Sequence, residues 1–301
     1  MTDSNPPVLT FTGERFTPEC VREIWYEHMH RYAFAAALAP GRRVLDAACG
    51  EGYGSALLAA AGAEVLGVDI SPEAIAHAQS RYGDRANLRF AQADVSRLDG
   101  LAEHSFDLIV SFETLEHVHA QEAMLARFER LLAPAGVLLV SSPDKRTYSD
   151  LTGYRNEHHV RELYRDELEA LLHRHFPVVR LLGQKLLFQS VLWDPDQAPV
   201  HACAATLQAD GQLSPRLDYA PLYYLALCAR AAADLPLPAG SVHCFGDAAE
   251  SVYTHYNDEV RKHIAAGHRL MAQEREIDQL REELAQAKAQ IAQLSHQGRN
   301  A

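Results

Sequence analysis

An α/β fold with helices flanking a parallel sheet is predicted by three features of the sequence. Five short apolar runs alternate with helix-period segments between residues 43 and 140, a pattern that implies right-handed crossovers and parallel strands. The first run, Val44-Leu45, delivers Asp46 into a turn with alternating glycines, Gly50, Gly52 and Gly54, and the helix former Ser55–Ala60 follows. The run from Phe106 to Phe112 is too continuously apolar for the edge of a sheet.

The elements follow in order. Residues 1–13 read as a polar, Pro-rich arm, and Pro18–Leu38 as a helix with apolar residues such as Val21, Ile24, Trp25 and Met29 at three- and four-residue steps. That helix carries His28, His30 and Arg31, either as a solvated face or as part of a lid. Glu64–Asp69 is the second strand. Ser71 and Pro72 then start a helix as N-cap and first-turn proline. Leu88–Ala91 is a third strand, followed by Asp94. A helix over 121–132 ends at Ala133-Pro134-Ala135-Gly136, and Val137–Val140 is the fifth strand. Val178–Leu182 and Leu222–Leu227 would complete the sheet. Residues 190–220 have no clear period, and Asp194-Pro195 and Asp210-Gly211 mark turns within them. His173 and His175, on a charged helix end, read as surface residues.

Composition narrows the function classes. The chain has 301 residues, 48% of them hydrophobic, enough for one large domain (1–245) and an appendage (246–301). A net charge of −12 disfavours a sequence-tolerant nucleic-acid binder, which needs a basic footprint. Five cysteines (20, 49, 203, 228 and 244) contain no C-x-x-C and read as buried small hydrophobes in a reducing compartment. No run reaches the roughly 18 apolar residues of a spanning helix. The N-terminal residues lack a basic region followed by an apolar core, so no secretory signal is expected. The expected location is cytoplasmic, either free or peripheral at the inner face of the membrane.

The glycine turn behind Asp46 is not a dinucleotide fingerprint, because the third position after Gly52 is Ser55. It resembles motif I of class I S-adenosylmethionine (SAM)-dependent methyltransferases, with Ala48 where many members have glycine. Asp69 stands 23 residues after Asp46, where open α/β nucleoside sites place a ribose-binding acid. The glycine loop, Asp69, Asp94, the strand 107–112 and the Leu-Leu-Ala-Pro-Ala-Gly turn at 131–136 stand in the order of that family. The resemblance covers roughly residues 14–230. It implies a Rossmann-like sheet of seven strands, the last antiparallel, and SAM as cofactor. By position, Asp46, Ala48, Gly50 and Gly52 would hold the methionine portion and Asp69 the ribose. Asp94 would take the adenine amino group, Ile70 and Val95 would flank the ring, and Ser111 would close the site. Gly13–Glu19, Glu27–Tyr32 and Cys49–Ser55 are in addition similar to methyltransferases associated with bacterial surface-polysaccharide assembly. That likeness implies a sugar hydroxyl of a glycan or glycoconjugate as acceptor.

Chemistry is expected after the fourth strand, in Glu113-Thr114-Leu115-Glu116-His117. There a 0, +3, +4 spacing groups Glu113, Glu116 and His117 on one side of a helical turn. His158 and His159 lie in a segment that the family places over the same cleft. Methyl transfer to a hydroxyl needs in-line placement and removal of a proton. A histidine base, His117 or His158, would supply the second, as would a divalent metal that lowers the hydroxyl's pKa. E-x-x-E-H with a downstream histidine resembles the metal site of small-RNA 2′-O-methyltransferases, which makes Glu113, Glu116, His117 and His158 candidate ligands for Mg²⁺, Mn²⁺ or Zn²⁺. Leu-Glu-His is also widespread in metal-free relatives.

From Leu270 the period changes to heptads. Leu270, Ile277, Leu284 and Ile291 hold one seam position, and Gln273, Leu280, Ala287 and Leu294 the other. The flanking pairs Glu276–Arg281, Glu283–Lys288 and Arg269–Glu274 match in sign across a parallel self-pair. The expected assembly is therefore a homo-oligomer through a parallel coiled coil, with a single packed helix as the alternative. Two other functions stay open. One is a small-molecule O- or N-methyltransferase of the quinone or natural-product kind. The other is an inactive methyltransferase-like scaffold that recruits partners through the coiled coil.

Overall fold

The structure, a computed structural model, describes residues 23–192, 196, 203–237 and 240–297, with side chains described as far as 291. Seven strands form one sheet: β1 (Arg43–Ala47), β2 (Glu64–Asp69), β3 (Leu88–Gln92), β4 (Phe106–Ser111), β5 (Leu132–Pro143), β6 (Val178–Gln184) and β9 (Tyr223–Ala229). Their spatial order is β3-β2-β1-β4-β5-β9-β6. All neighbours from β3 to β5 are parallel, and β9 runs antiparallel between β5 and β6. This is the seven-stranded arrangement with an antiparallel last strand that the family resemblance implies. A hairpin, β7 (Thr206–Leu207) and β8 (Leu213–Ser214), stands apart from the sheet. Its turn uses Asp210 and Gly211, the latter at φ +83°. Asp194-Pro195, the N-terminal arm and the first part of the expected N-terminal helix, with Val21, lie outside the described residues.

Alternation within each strand gives the sheet two buried faces. Leu45, Ile109 and Leu138 face one core with Met124, Leu125 and Phe128 of α4 (Gln121–Leu131) and Leu168, Leu171 and Leu172 of α5 (Arg165–His173). Val44, Leu108 and Leu139 face the other, with Tyr32, Phe34 and Ala35 of α1 (Glu23–Leu38) and Ala56, Leu58 and Ala59 of α2 (Tyr53–Ala60). Each fully buried Leu or Phe contributes about 1.5–3 kcal/mol, so this double burial is what holds the central strands. Helix α3 (Pro72–Tyr82) starts as expected, with Ser71 Oγ accepting the Ala74 N–H at 3.2 Å and Pro72 in the first turn.

Some expectations need correction. Strand β5 begins at Leu132, earlier than expected. Its register pairs Phe106 with Leu132 and Leu108 with Val137, so Ala133–Gly136 is a bulge in the ladder. Cys49 and Cys228 are buried, but Cys203 and Cys244 are exposed, because both sit in irregular segments outside the sheet. His175 is not a free surface residue: its ring lies 2.9 Å from Glu122 Oε2 and 3.0 Å from Glu129 Oε2.

The chain divides into two compact units that part between Phe245 and Gly246. The second unit is dominated by α6, a helix over Ser251–Gln297. Among the described residues no helix is long and apolar enough to cross a membrane.

Candidate active site

Strand order reverses between β1 and β4, which opens a crevice at their carboxyl ends, where ligands of open α/β sheets bind. On the β1–β2 side the backbone takes a tight path: Ala48, Gly50 and Gly52 have φ of +65°, +56° and +88°. An alanine in that region costs roughly 1–2 kcal/mol, so the departure from glycine at Ala48 is tolerated as strain. A Cβ on Gly52 would meet Phe90 at 2.7 Å and Ala78 at 2.8 Å, so only glycine lets the loop lie this close to α3. Asp46 turns inward. Its two oxygens accept from Tyr32 Oη (3.0 Å) and Ser55 Oγ (2.6 Å), tying the loop to α1 and α2. Burial raises its carboxyl to about 6.

Asp69, at the end of β2, accepts the N–H of Gly50 (2.9 Å) and of Ser71 (2.8 Å). Those bonds occupy one lone pair on each oxygen and leave others for a diol. Asp94 Oδ1 accepts from the N–H and Oγ of Ser96 at 2.8 and 2.7 Å, and its Oδ2 carries neither bond. Ile70 is exposed on the lip, Val95 is buried, and Ser111 Oγ is buried without a hydrogen-bond partner among the described residues. Two carboxylates with spare lone pairs can accept hydrogen bonds from hydroxyl or amino groups, and the backbone N–H groups at the start of α2 can donate to an anion.

The other half of the crevice is built after β4. Glu113 sits at φ +49°, a conformation that costs a non-glycine residue energy and marks constraint. Its N–H donates to Ser141 Oγ at 3.0 Å, and Ser141 Oγ donates back to Glu113 Oε1 at 2.6 Å. Leu115–His117 then form a single 3-10 turn. Glu116 is buried and neither carboxylate oxygen has a hydrogen-bond partner among the described residues. Burial and the neighbouring Glu113 carboxylate raise its pKa well above the usual range. The Glu116 backbone carbonyl accepts from Val160 and Arg161 at 2.8 and 3.0 Å, docking the segment 156–161 on this turn.

His117 Nδ1 lies 3.0 Å from the His158 carbonyl. A carbonyl only accepts, so Nδ1 carries a proton. Nε2 is 4.0 Å from Glu116 Oε1. His159 stacks edge-on against His117, with Nδ1 2.5 Å from Glu162 Oε1 and Nε2 3.0 Å from Asn156 Nδ2. Ser149 Oγ fixes the other Glu162 oxygen at 2.5 Å, and Tyr148 stacks on the far side of His159. Ligand atoms of Glu116, His117 and His159 all lie within 4.8 Å of one another, a grouping that could hold a cation.

Of the residues singled out in the sequence, the structure brings Glu116 and His117 together. It turns Glu113 towards Ser141. His158 contributes its backbone carbonyl, while its imidazole lies 3.9 Å from Glu157. It is His159 whose ring meets that of His117, with its Nδ1 on Glu162, three residues later. The helix α1 is also not a solvated face. Arg31 and Glu27 are buried, His30 stacks on Phe245, and burial lowers the pKa of His28 and His30. The signal for the first pair was present as Glu27 and Arg31 one helical turn apart.

Residues 45–140 match the family model described as a methyltransferase domain. A probable S-adenosylmethionine-dependent methyltransferase of Mycobacterium tuberculosis is 37% identical over 172 residues, which cover 56% of this chain and 61% of that protein. A ubiquinone biosynthesis O-methyltransferase of Azorhizobium caulinodans is 33% identical over 131 residues, covering 43% of this chain and 51% of that one. The chain thus spans about three-fifths or less of the length of these relatives. A TehB-like SAM-dependent methyltransferase structure from Corynebacterium glutamicum aligns with a TM-score of 0.44 at 21% identity, covering 67% of this chain and 88% of that one.

Proposed function

We propose that this chain, which carries a class I SAM-dependent methyltransferase domain, methylates a hydroxyl group, with His117 as the base. The observation that carries the reading is the orientation of His117. Its Nδ1–H is committed to the His158 carbonyl, which turns Nε2 towards the buried Glu116 carboxyl, 4.0 Å away at the carboxyl end of β4. The cofactor would supply an electrophilic methyl group on sulfur. Asp69 and Asp94 would grip its ribose and adenine, and Gly50 and Gly52 let the backbone approach its methionine end. His117 would take the acceptor's proton as the new bond forms, a role worth roughly 10²–10⁴-fold in rate. Asp46 holds the loop from inside, at the methionine end of the cofactor.

A second reading gives Glu116, His117 and His159 a divalent metal. It is favoured by the two oxygens of Glu116 that lack a partner among the described residues and by the hydrogen bond that commits His117 Nδ1–H to the His158 carbonyl, while His159 Nε2 would have to exchange the Asn156 amide for the metal. An outer partner such as that carbonyl orients a metal-binding imidazole. Mixed carboxylate and imidazole donors suit Zn²⁺ or Mn²⁺ better than Mg²⁺. A metal there would lower the acceptor hydroxyl's pKa, the chemistry His117 alone would otherwise supply. In this reading Glu113 and His158, expected as ligands, stay outside the set.

The acceptor we favour is a sugar hydroxyl of a glycan or glycoconjugate, with a quinone-like or other small-molecule acceptor as the alternative. The exposed seam residues Leu270, Ile277, Leu280, Leu284 and Ile291 on α6 support self-association through a parallel coiled coil. The expected location remains the cytoplasm. The test is transfer of labelled methyl from SAM to methyl glycosides and to catechol, with and without EDTA. Loss of turnover with EDTA, restored by Zn²⁺ or Mn²⁺, selects the metal reading, and EDTA-resistant turnover leaves the base. Transfer to catechol alone removes the glycan.

A further inference from the structure

Arg31 is 1% exposed, and its guanidinium joins three elements at the crevice end of the sheet. Nε donates to Gln184 Oε1 at 2.7 Å, at the end of β6. The guanidinium carbon lies 4.5 Å over the ring of Tyr223, the first residue of β9. Nη2 is 3.5 Å from Glu113 Oε1, and neither Nη1 nor Nη2 has a hydrogen-bond partner among the described residues. One turn earlier, the Glu27 carbonyl accepts from Gln184 Nε2 at 2.9 Å.

Taking a guanidinium out of water costs several kcal/mol unless an opposite charge answers it. Three carboxylates act on it, Glu27 on its own helix, Glu113 on the strained turn and Glu116 three residues further on. Burial raises the pKa of both Glu27 and Glu116, and Glu113 is the carboxylate whose oxygen lies within ion-pair distance of the guanidinium. The Glu113 side chain is also the one that reaches the surface, at 15% exposure against 1% for Arg31.

We infer that Arg31 is a positioning residue: its charge holds Glu113 in the left-handed turn after β4 and so fixes the 3-10 turn that carries Glu116 and His117. Its consequence for turnover rests on the methyl-transfer reading; its effect on the turn does not. A merely packing role would depend on bulk and would be met by any unbranched side chain. A positioning role depends on the charge.

The test compares Arg31→Met and Arg31→Lys in the full chain bound to S-adenosylhomocysteine. Amide hydrogen exchange is read over residues 112–117 and over the loop 48–54, together with ligand affinity and kcat on the best methyl glycoside. The expected result is exchange at 113–117 at least tenfold faster in Arg31→Met, with the 48–54 loop unchanged and affinity within twofold. Arg31→Lys should restore most of the protection, and kcat should follow, falling at least 30-fold for Met and much less for Lys. Equal loosening in both variants, or none in Arg31→Met, overturns the inference. If Arg31→Met does not fold, Glu113→Gln, which removes the counter-charge but keeps the side chain's shape, takes its place. Faster exchange at 113–117 then supports the assignment, and unchanged exchange overturns it. A wild-type chain that methylates no glycoside or catechol counts against the methyl-transfer reading, while the exchange measurement still decides Arg31.

Discussion

Asp69 receives two backbone N–H groups and keeps lone pairs free at the crevice, so its removal strands both the loop and any diol bound there. Asp69→Ala should weaken S-adenosylhomocysteine binding by about 1–3 kcal/mol, measured by calorimetry; unchanged affinity would remove Asp69 from the ribose site. Glu27 offers a pH test at the same scale. Its carboxyl rises from 4.5 to about 7, chiefly through burial, opposed by Arg31. Between those values the folded chain keeps a proton that the unfolded chain has lost, so this group's contribution falls as pH rises through the window and is flat above it. Glu27→Gln removes that slope. Measured by denaturant unfolding, the variant should gain on the wild type from pH 5 to 7, by at most about 1.4 kcal/mol per pH unit. A gain on acidification instead would mean the carboxyl is held ionised.

At the scale of elements, the β1 loop and the start of α2 act as one piece, because Gly52 combines a left-handed φ with contacts that exclude a Cβ. Gly52→Ala should cost roughly 2–5 kcal/mol of stability and most of the cofactor affinity. A stable variant with normal affinity would show that the loop can move off α3. This element was legible because its chemistry is local: an acid after a short apolar run, then alternating glycines. The same holds for the Ser71-Pro72 helix start and for the order of the strands. The acceptor side was less legible, since its partners come from far apart in the chain. Glu113 meets Ser141 and Arg31, and His117 meets His159, through contacts that no local period encodes. A choice between adjacent histidines depends on which of them Glu162 reaches, and spacing alone did not separate His158 from His159. For Arg31 the sequence left a solvated face and a lid both open, and the burial comes from Gln184 and Tyr223, more than 150 residues away in the chain.

For the molecule as a whole, the two units divide the work: one holds every residue argued to bind or react, and the other is a 47-residue helix with an exposed apolar seam. Truncation near Arg261 should give a smaller particle by light scattering that keeps its affinity for S-adenosylhomocysteine. An unchanged protomer number would contradict assembly through α6. The central claim is that the β4 turn removes a proton from an acceptor while the β1–β2 side holds the cofactor. Its most direct test is labelled-methyl transfer to the glycoside and catechol panel by wild type and His117→Ala, each first shown to bind S-adenosylhomocysteine equally. The account predicts transfer by the wild type and a loss of at least a hundredfold in the variant. Transfer by His117→Ala at the wild-type rate would contradict it.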